Sequence, residues 1–155
     1  NIEYYIFHDI DLLPNDELLK YYYTFPSNPI HIARLWKDKY TYYTFFGGIT
    51  SVSKQMTLDA NGFPNNFWGW GGEDDAFYNR ISKFANNILA PKSGKITEMK
   101  HTDQGNLNKK DSEEKKKLIL EDLENWKNNG LKNLKNNILK ETKITNNIIL
   151  VKVSI

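Results

Sequence analysis

Residues 3–11 read EYYIFHDID, a run of aromatic and β-branched residues that closes on two acids. Such a run suits a buried strand over Glu3–Ile10. Pro14 then breaks it, and Asp16–Tyr23 has the make-up of a short helix. Further on, Phe25–Ile30 is a loop by its two prolines, and His31–Trp36 and Tyr40–Phe46 read as further strands before Gly47-Gly48 turns the chain. Ser53 caps a short helix, SKQMTLDAN, that stops at Gly62. Pro64–Gly72 is a loop, and Glu73 opens a helix whose apolar face is Phe77, Ile81 and Phe84. Ile88–Ala90 and Lys95–Met99 read as short strands, Leu118–Trp126 as a helix ended by Asn129-Gly130, and Ile144–Ile155 as a last strand. Strands and helices mix along the chain, which predicts an α/β class in one domain spanning 1–155. Residues 100–117 are polar and charged, with Leu107 the one apolar residue among 100–115, so this segment reads as a flexible loop turning helical at its end.

The bulk numbers narrow the function. With 155 residues there is one core and no room for two comfortable ones. An apolar fraction of 39% with 14% aromatic fits a globular chain. A net charge of +2 without a basic tract before residue 109 gives no strong case for nucleic acid. No apolar run reaches the length of a membrane span. The absence of cysteine and of a signal-like opening favours a cytoplasmic setting. The chain starts at Asn1 rather than Met, which suggests a domain cut from something longer.

Three clusters carry chemistry. Asp9-Ile10-Asp11 ends a strand, where ligands of open α/β sheets gather, and its two carboxylates suit a hard divalent cation over a diphosphate. Taken alone, the pattern more often describes a solvated strand end. Phe67–Asp75 reads FWGWGGEDD: glycines allow close backbone approach, a Trp face packs on a sugar ring, and the acids offer a base and acceptors for hydroxyls. A Trp-anchored turn before a charged helix start fits these residues equally well. Met99-Lys100-His101 places a soft sulfur and an imidazole on one strand face, and also suits a half-buried strand whose His caps a loop.

FHDIDLLP, FFGGITSVSK, NGFPNNFWGWGGEDDAFYNRI, the later MKH and the tail NNGLKNLKNNIL with IILVKVSI together resemble the β-1,4-galactosyltransferase family. The resemblance runs through nearly the whole chain, in the family's motif order. It implies a GT-A-like nucleotide-sugar glycosyltransferase fold, a mixed sheet flanked by helices, here the C-terminal catalytic half without part of the nucleotide-binding half. It implies a metal-dependent transfer of galactose, or N-acetylgalactosamine, from a UDP-sugar to a sugar hydroxyl, with Mn²⁺ or a similar cation.

Residue by residue, the resemblance makes Asp74 the catalytic base. Asp11 and His101 match the metal ligands, with Met99 or Glu98 the third. Asp9, Phe45, Trp70 and Glu73 fall on the donor side, Phe45 at the donor-selecting position where many members have Tyr. Asp75, Trp70 and Tyr42 fall on the acceptor side. The family also implies a flexible loop after the metal-binding His and a Golgi lumen as the alternative location. This chain departs from it in lacking the Arg-rich segment that contacts the nucleotide, the usual cysteines, and a clear Arg-Phe pair in Asn108–Leu120 for gripping an N-acetyl group. The helix N-terminus favours the Asp74 anion, and Glu73 and Asp75 oppose it. A non-catalytic carbohydrate-binding module, or a fragment of a larger glycosyltransferase, is the rival reading.

Overall fold

A computed structural model describes residues 2–36, 42–99, 109–134 and 137–154. Strand β1 (Tyr4–His8), β3 (Ile30–His31) and β4 (Ile49–Ser53) form an antiparallel sheet of order β1-β4-β3. A second, two-stranded sheet joins β2 (Leu12–Pro14) to β5 (Ile96–Glu98), pairing Leu12 with Glu98. The third is a hairpin of β6 (Asn137–Lys143) and β7 (Ile149–Ser154). The described residues also hold four α-helices: α1 (Asp16–Leu19), α2 (Lys54–Asp59), α3 (Glu73–Ile81) and α4 (Lys109–Asn125).

The central strand is β4, ITSVS, and all five residues are buried. Alternate residues point to opposite faces of a strand. Ile49 joins a core of Leu12, Leu18, Ile30, Ile32, Ala33 and Ile96, whereas Val52 joins one of Phe46, Ala60, Phe77 and Ile81. β4 is thus the wall between two cores. The second core is largely aromatic: Phe63 stacks on Phe77 at 4.0 Å, and Phe7 meets both edge-on.

The first strand forms as expected, but at the sheet edge, with Tyr4–Phe7 only half-buried. The Ser53 cap is also as expected: its side chain accepts from the Met56 amide at 3.2 Å. Other expectations fail for local reasons. β3 stops at His31, where Ile32–Leu35 coils into a 3-10 turn, and opposite it Gly48, at φ 78°, lies outside strand geometry just before β4. Of the expected strand Tyr40–Phe46, residues 40–41 lie outside the described residues, and Tyr42–Phe46 is not a strand: Arg34 Nη1 donates to the Tyr42 and Tyr43 carbonyls that a ladder would use. Ile88–Ala90 contributes a single parallel bridge, Ile30 with Leu89. Phe84 falls beyond the end of α3 and meets the Trp126 ring edge-on at 5.7 Å instead of joining the core. The last strand is a hairpin, with its turn where Ile144 and Thr145 amides both reach the Ile148 carbonyl. α4 begins at Lys109, so part of segment 100–117 is helical, and residues 100–108 lie outside the described residues.

Candidate active site

Asp74, in the first turn of α3, faces the Gly47 backbone. Gly72 precedes that turn at φ 91°, a conformation side chains rarely adopt. A Cβ there would also meet the Phe67 ring at 2.9 Å. This is why the acids follow glycine. At Gly47 the constraint is space: a Cβ would overlap Asp74 Oδ2 and lie 2.9 Å from both Asp74 Cγ and Phe45 Cε2. The carboxyl of Asp74 therefore rests on a bare stretch of backbone, with Phe45 alongside. The next carbonyl, Gly48 O, accepts the Asp9 amide at 2.8 Å. One two-residue strip thus meets both Asp74 and the end of β1.

Burial first, then the charges of Glu73, Asp9 and Asp75, push Asp74 up to about 7. Of the opposed influences at this position, those that disfavour the anion prevail, and desolvation leads them. Asp9 is raised by burial and by Asp11, with His8 pulling the other way. Asp75 is raised by burial, against a hydrogen bond from Tyr42 Oη at 3.4 Å. Among the described residues, Glu73 Oε2 and Asp75 Oδ1 are buried with no hydrogen-bond partner. Asp9, Glu73, Asp74 and Asp75 thus form one mutually interacting acid group, with Tyr42 joined to it through Asp75.

Asp11 is reached from the other sheet. The Met99 amide donates to Asp11 O at 2.7 Å, extending the β2–β5 pairing by one step. Residues paired across a ladder share a face, so Met99, rather than Glu98, falls on the side of Asp11. Met99 is 54% exposed. His101 lies outside the described residues. Among the described residues no three His, Cys, Asp or Glu stand together as a metal site. The Asp9 carboxylate, raised in part by the nearby Asp11 charge, and Asp11 itself nevertheless offer oxygens of the kind a hard divalent cation favours.

Trp70 and Trp68 are exposed on the loop before α3, with Phe67 beneath. A cleft of about 180 Å³ separates this loop from α4, lined by Asn66, Trp68, Trp70, Glu114, Lys115 and Leu118. Lys115 is the residue the sequence did not single out: its Nζ donates to the Trp68 carbonyl and stands 5.6 Å from the Phe67 ring centre. Its only sequence signal is a helical position among many lysines. Arg80 was also missed. It is fully buried on α3, pairs with Asp122 of α4, and donates to the Gly62 and Asn129 carbonyls. Asn61 and Asn65 reach the same tail, at Trp126 O and Gly130 O, both 2.9 Å. The NGFPNN and NNGL motifs are therefore scaffold, holding α3 to α4.

The fold is that of GT-A-like galactosyltransferase catalytic domains: the catalytic domain of Drosophila β-1,4-galactosyltransferase 7, solved with xylobiose, matches with TM-score 0.74 at 28% identity, over 97% of this chain and 66% of that one. A mutant of that enzyme, solved with manganese, UDP-Gal and xylobiose, matches with TM-score 0.73 at 27% identity over the same shares. Bovine (Bos taurus) β-1,4-galactosyltransferase 1 is 41% identical over 105 residues, 63% of this chain and 25% of that protein. Mouse (Mus musculus) β-1,4-galactosyltransferase 4 is 36% identical over 137 residues, 84% of this chain and 38% of that protein. A family model described as the N-terminal domain of galactosyltransferase matches residues 28–102.

Together these matches support the β-1,4-galactosyltransferase family for this chain. The chain spans 25% and 38% of the length of these two curated relatives. The expectation of a C-terminal half does not follow from the matching model, whose description is of an N-terminal domain.

Proposed function

We propose that this chain carries the base and cation side of a metal-dependent, inverting galactosyltransferase that uses UDP-Gal. The observation that carries the reading is Asp74, seated on Gly47 among Asp9, Glu73 and Asp75 with its carboxyl raised to about 7. A base works best with a pKa near the working pH. In this reading Asp74 takes the proton of an acceptor hydroxyl as that oxygen forms its bond to the anomeric carbon. The bond from that carbon to the UDP oxygen breaks in the same step, which inverts the configuration. Glu73 Oε2 and Asp75 Oδ1, buried and unpartnered, are placed to accept from sugar hydroxyls. Tyr42, tied to Asp75, and Trp70, beside the 180 Å³ cleft, would wall the acceptor.

Asp11, Met99 and His101 would hold the cation, which when bound supplies Lewis-acid stabilisation to the departing diphosphate. Asp9 holds the donor from the next position but one. The relation of this chain to the C-terminal catalytic half of the family rests on motif order and on the acids and Met-x-His it carries. Phe45 is buried, with Asp74 and Tyr42 beside it, and would shape the donor pocket in favour of galactose.

The test is UDP release by the full-length protein from UDP-Gal, UDP-GalNAc, UDP-Glc and UDP-GlcNAc, with and without Mn²⁺. Xylobiose, which the Drosophila relative binds, serves as one acceptor beside N-acetylglucosamine and glucose. Mn²⁺-dependent release with UDP-Gal supports the reading, and sugar binding with no release from any donor would replace it with a carbohydrate-binding module.

A further inference from the structure

His31 is a buried titratable side chain to which the reading above gives no part. It is 2% exposed and belongs to the two-residue strand β3. Its backbone is fixed twice: it pairs with Thr50 of β4, and its amide donates to Leu89 O at 2.8 Å. The ring points toward the base. Nε2 lies 2.9 Å from Gly47 O. A carbonyl only accepts, so this nitrogen carries the hydrogen. Phe45 and Phe46 close on the ring edge-on, at 5.2 and 5.5 Å. Burial lowers the imidazole to about 4, so the ring is neutral at physiological pH.

Gly47 therefore has two neighbours that matter. Its carbonyl takes the His31 hydrogen, and the Asp74 carboxyl fills the space where a side chain on its α-carbon would lie. Packing leaves this strip one open side, at Phe45 and Phe46. A cavity of about 140 Å³ opens beside it, lined in part by His31, Phe45, Phe46 and Tyr78. Without the hydrogen bond, the Phe45–Gly47 backbone has room to relax into that space and let the carboxyl drift. A base displaced by about 1 Å can lose on the order of 100-fold in rate.

We propose that His31 is a positioning residue for sugar transfer, its Nε2–H holding the Gly47 peptide so that the Asp74 carboxyl keeps its place. The proposal rests on the reading of Asp74 as base. It assigns His31 no proton to transfer and no contact with either sugar.

The experiment compares three variants of the full-length protein in the UDP-release assay, with UDP-Gal as donor. His31→Phe keeps the ring and removes the donor. His31→Gln keeps an N–H at about the reach of Nε2. Asp74→Asn is the reference. We expect His31→Phe to fold, to lose about tenfold in kcat with the KM for UDP-Gal within about twofold, and His31→Gln to recover most of the loss. A fully active His31→Phe beside an inactive Asp74→Asn would overturn the positioning role alone. A fully active Asp74→Asn would overturn the base itself, and the proposal with it. A His31→Gln variant as slow as His31→Phe would also overturn the proposal. Should His31→Phe fail to fold, ¹⁵N spectra of the wild-type imidazole decide. A neutral ring protonated on Nε2 between pH 5 and 8 supports the proposal, and an Nδ1–H tautomer or titration near pH 6.5 overturns it.

Discussion

Asp74 and Asp11 are both site carboxylates, and the chain builds their surroundings differently. Asp74 leaves a helix first turn into a setting closed by Gly47, Phe45 and three other acids. Asp11 stands at the start of a two-stranded ribbon, between Ile10, which is almost fully exposed, and a partner residue, Met99, that is half in solvent. A base must have its proton affinity set by surroundings that are in place before substrate arrives, and only burial does that strongly. A cation site needs its oxygens within reach of an ion that arrives from solvent. Preorganisation is therefore concentrated on the Asp74 side, and openness on the Asp11 side.

That contrast can be broken from either end. The largest effect should come from the open side: excess EDTA, or Asp11→Asn, is expected to abolish turnover while far-ultraviolet circular dichroism stays unchanged. Full turnover in EDTA would remove the cation from the mechanism. Next, Asp74→Asn should lower the rate by at least ~10² with Mn²⁺ and UDP binding nearly intact, as calorimetry would read. A loss of only a few-fold would transfer the role to Glu73 or Asp75.

Gly47→Ala sharpens the comparison, because it touches no charge. Its methyl must displace the Asp74 carboxyl or the Phe45 ring, and we expect about 10- to 100-fold loss in kcat with Mn²⁺ affinity unchanged. Equal damage to metal binding would show that the two sides are one rigid unit.

The pH dependence is subtler. A carboxyl raised from 3.8 to about 7 binds its proton more tightly folded than unfolded. The stability this gives is fully present below about pH 4 and is lost as pH rises through 7. Asp74→Asn has no such loss, so its Tm relative to wild type should climb between pH 4 and 8. A constant difference would mean that the carboxyl is not perturbed. Activity should run oppositely, with kcat/KM rising through about pH 7. The smallest effect is on donor choice. Phe45→Leu should shift the UDP-GalNAc to UDP-Gal rate ratio upward by a few-fold, and an unchanged ratio would remove Phe45 from donor selection.

The acids of α3, the Ser53 cap and the first strand were legible because each depends on neighbours in sequence. Capping, helix-start charge and a β-branched run are all local signals. The central strand was not legible. ITSVS is buried on both faces, so it shows no alternation, and it is only five residues long. Arg80, Lys115 and His31 were hidden for a different reason. Each acts through a partner remote in the chain, 42 residues away for Arg80–Asp122 and 47 for Lys115–Trp68. The role of Gly47 as the seat of Asp74 likewise needs the fold, since FFGG by itself reads as a turn.

The Arg80 clasp bears on how the protein fails under heat. Its guanidinium is fully buried and spans α3, the turn after α2, and the tail beyond α4. Withdrawal of α4 would strand a buried cation, which costs several kcal/mol. Partial melting that spares the helix bearing Asp74 is thus disfavoured. Heat inactivation and loss of circular dichroism should follow one curve, so residual activity after warming would serve as a direct count of intact molecules.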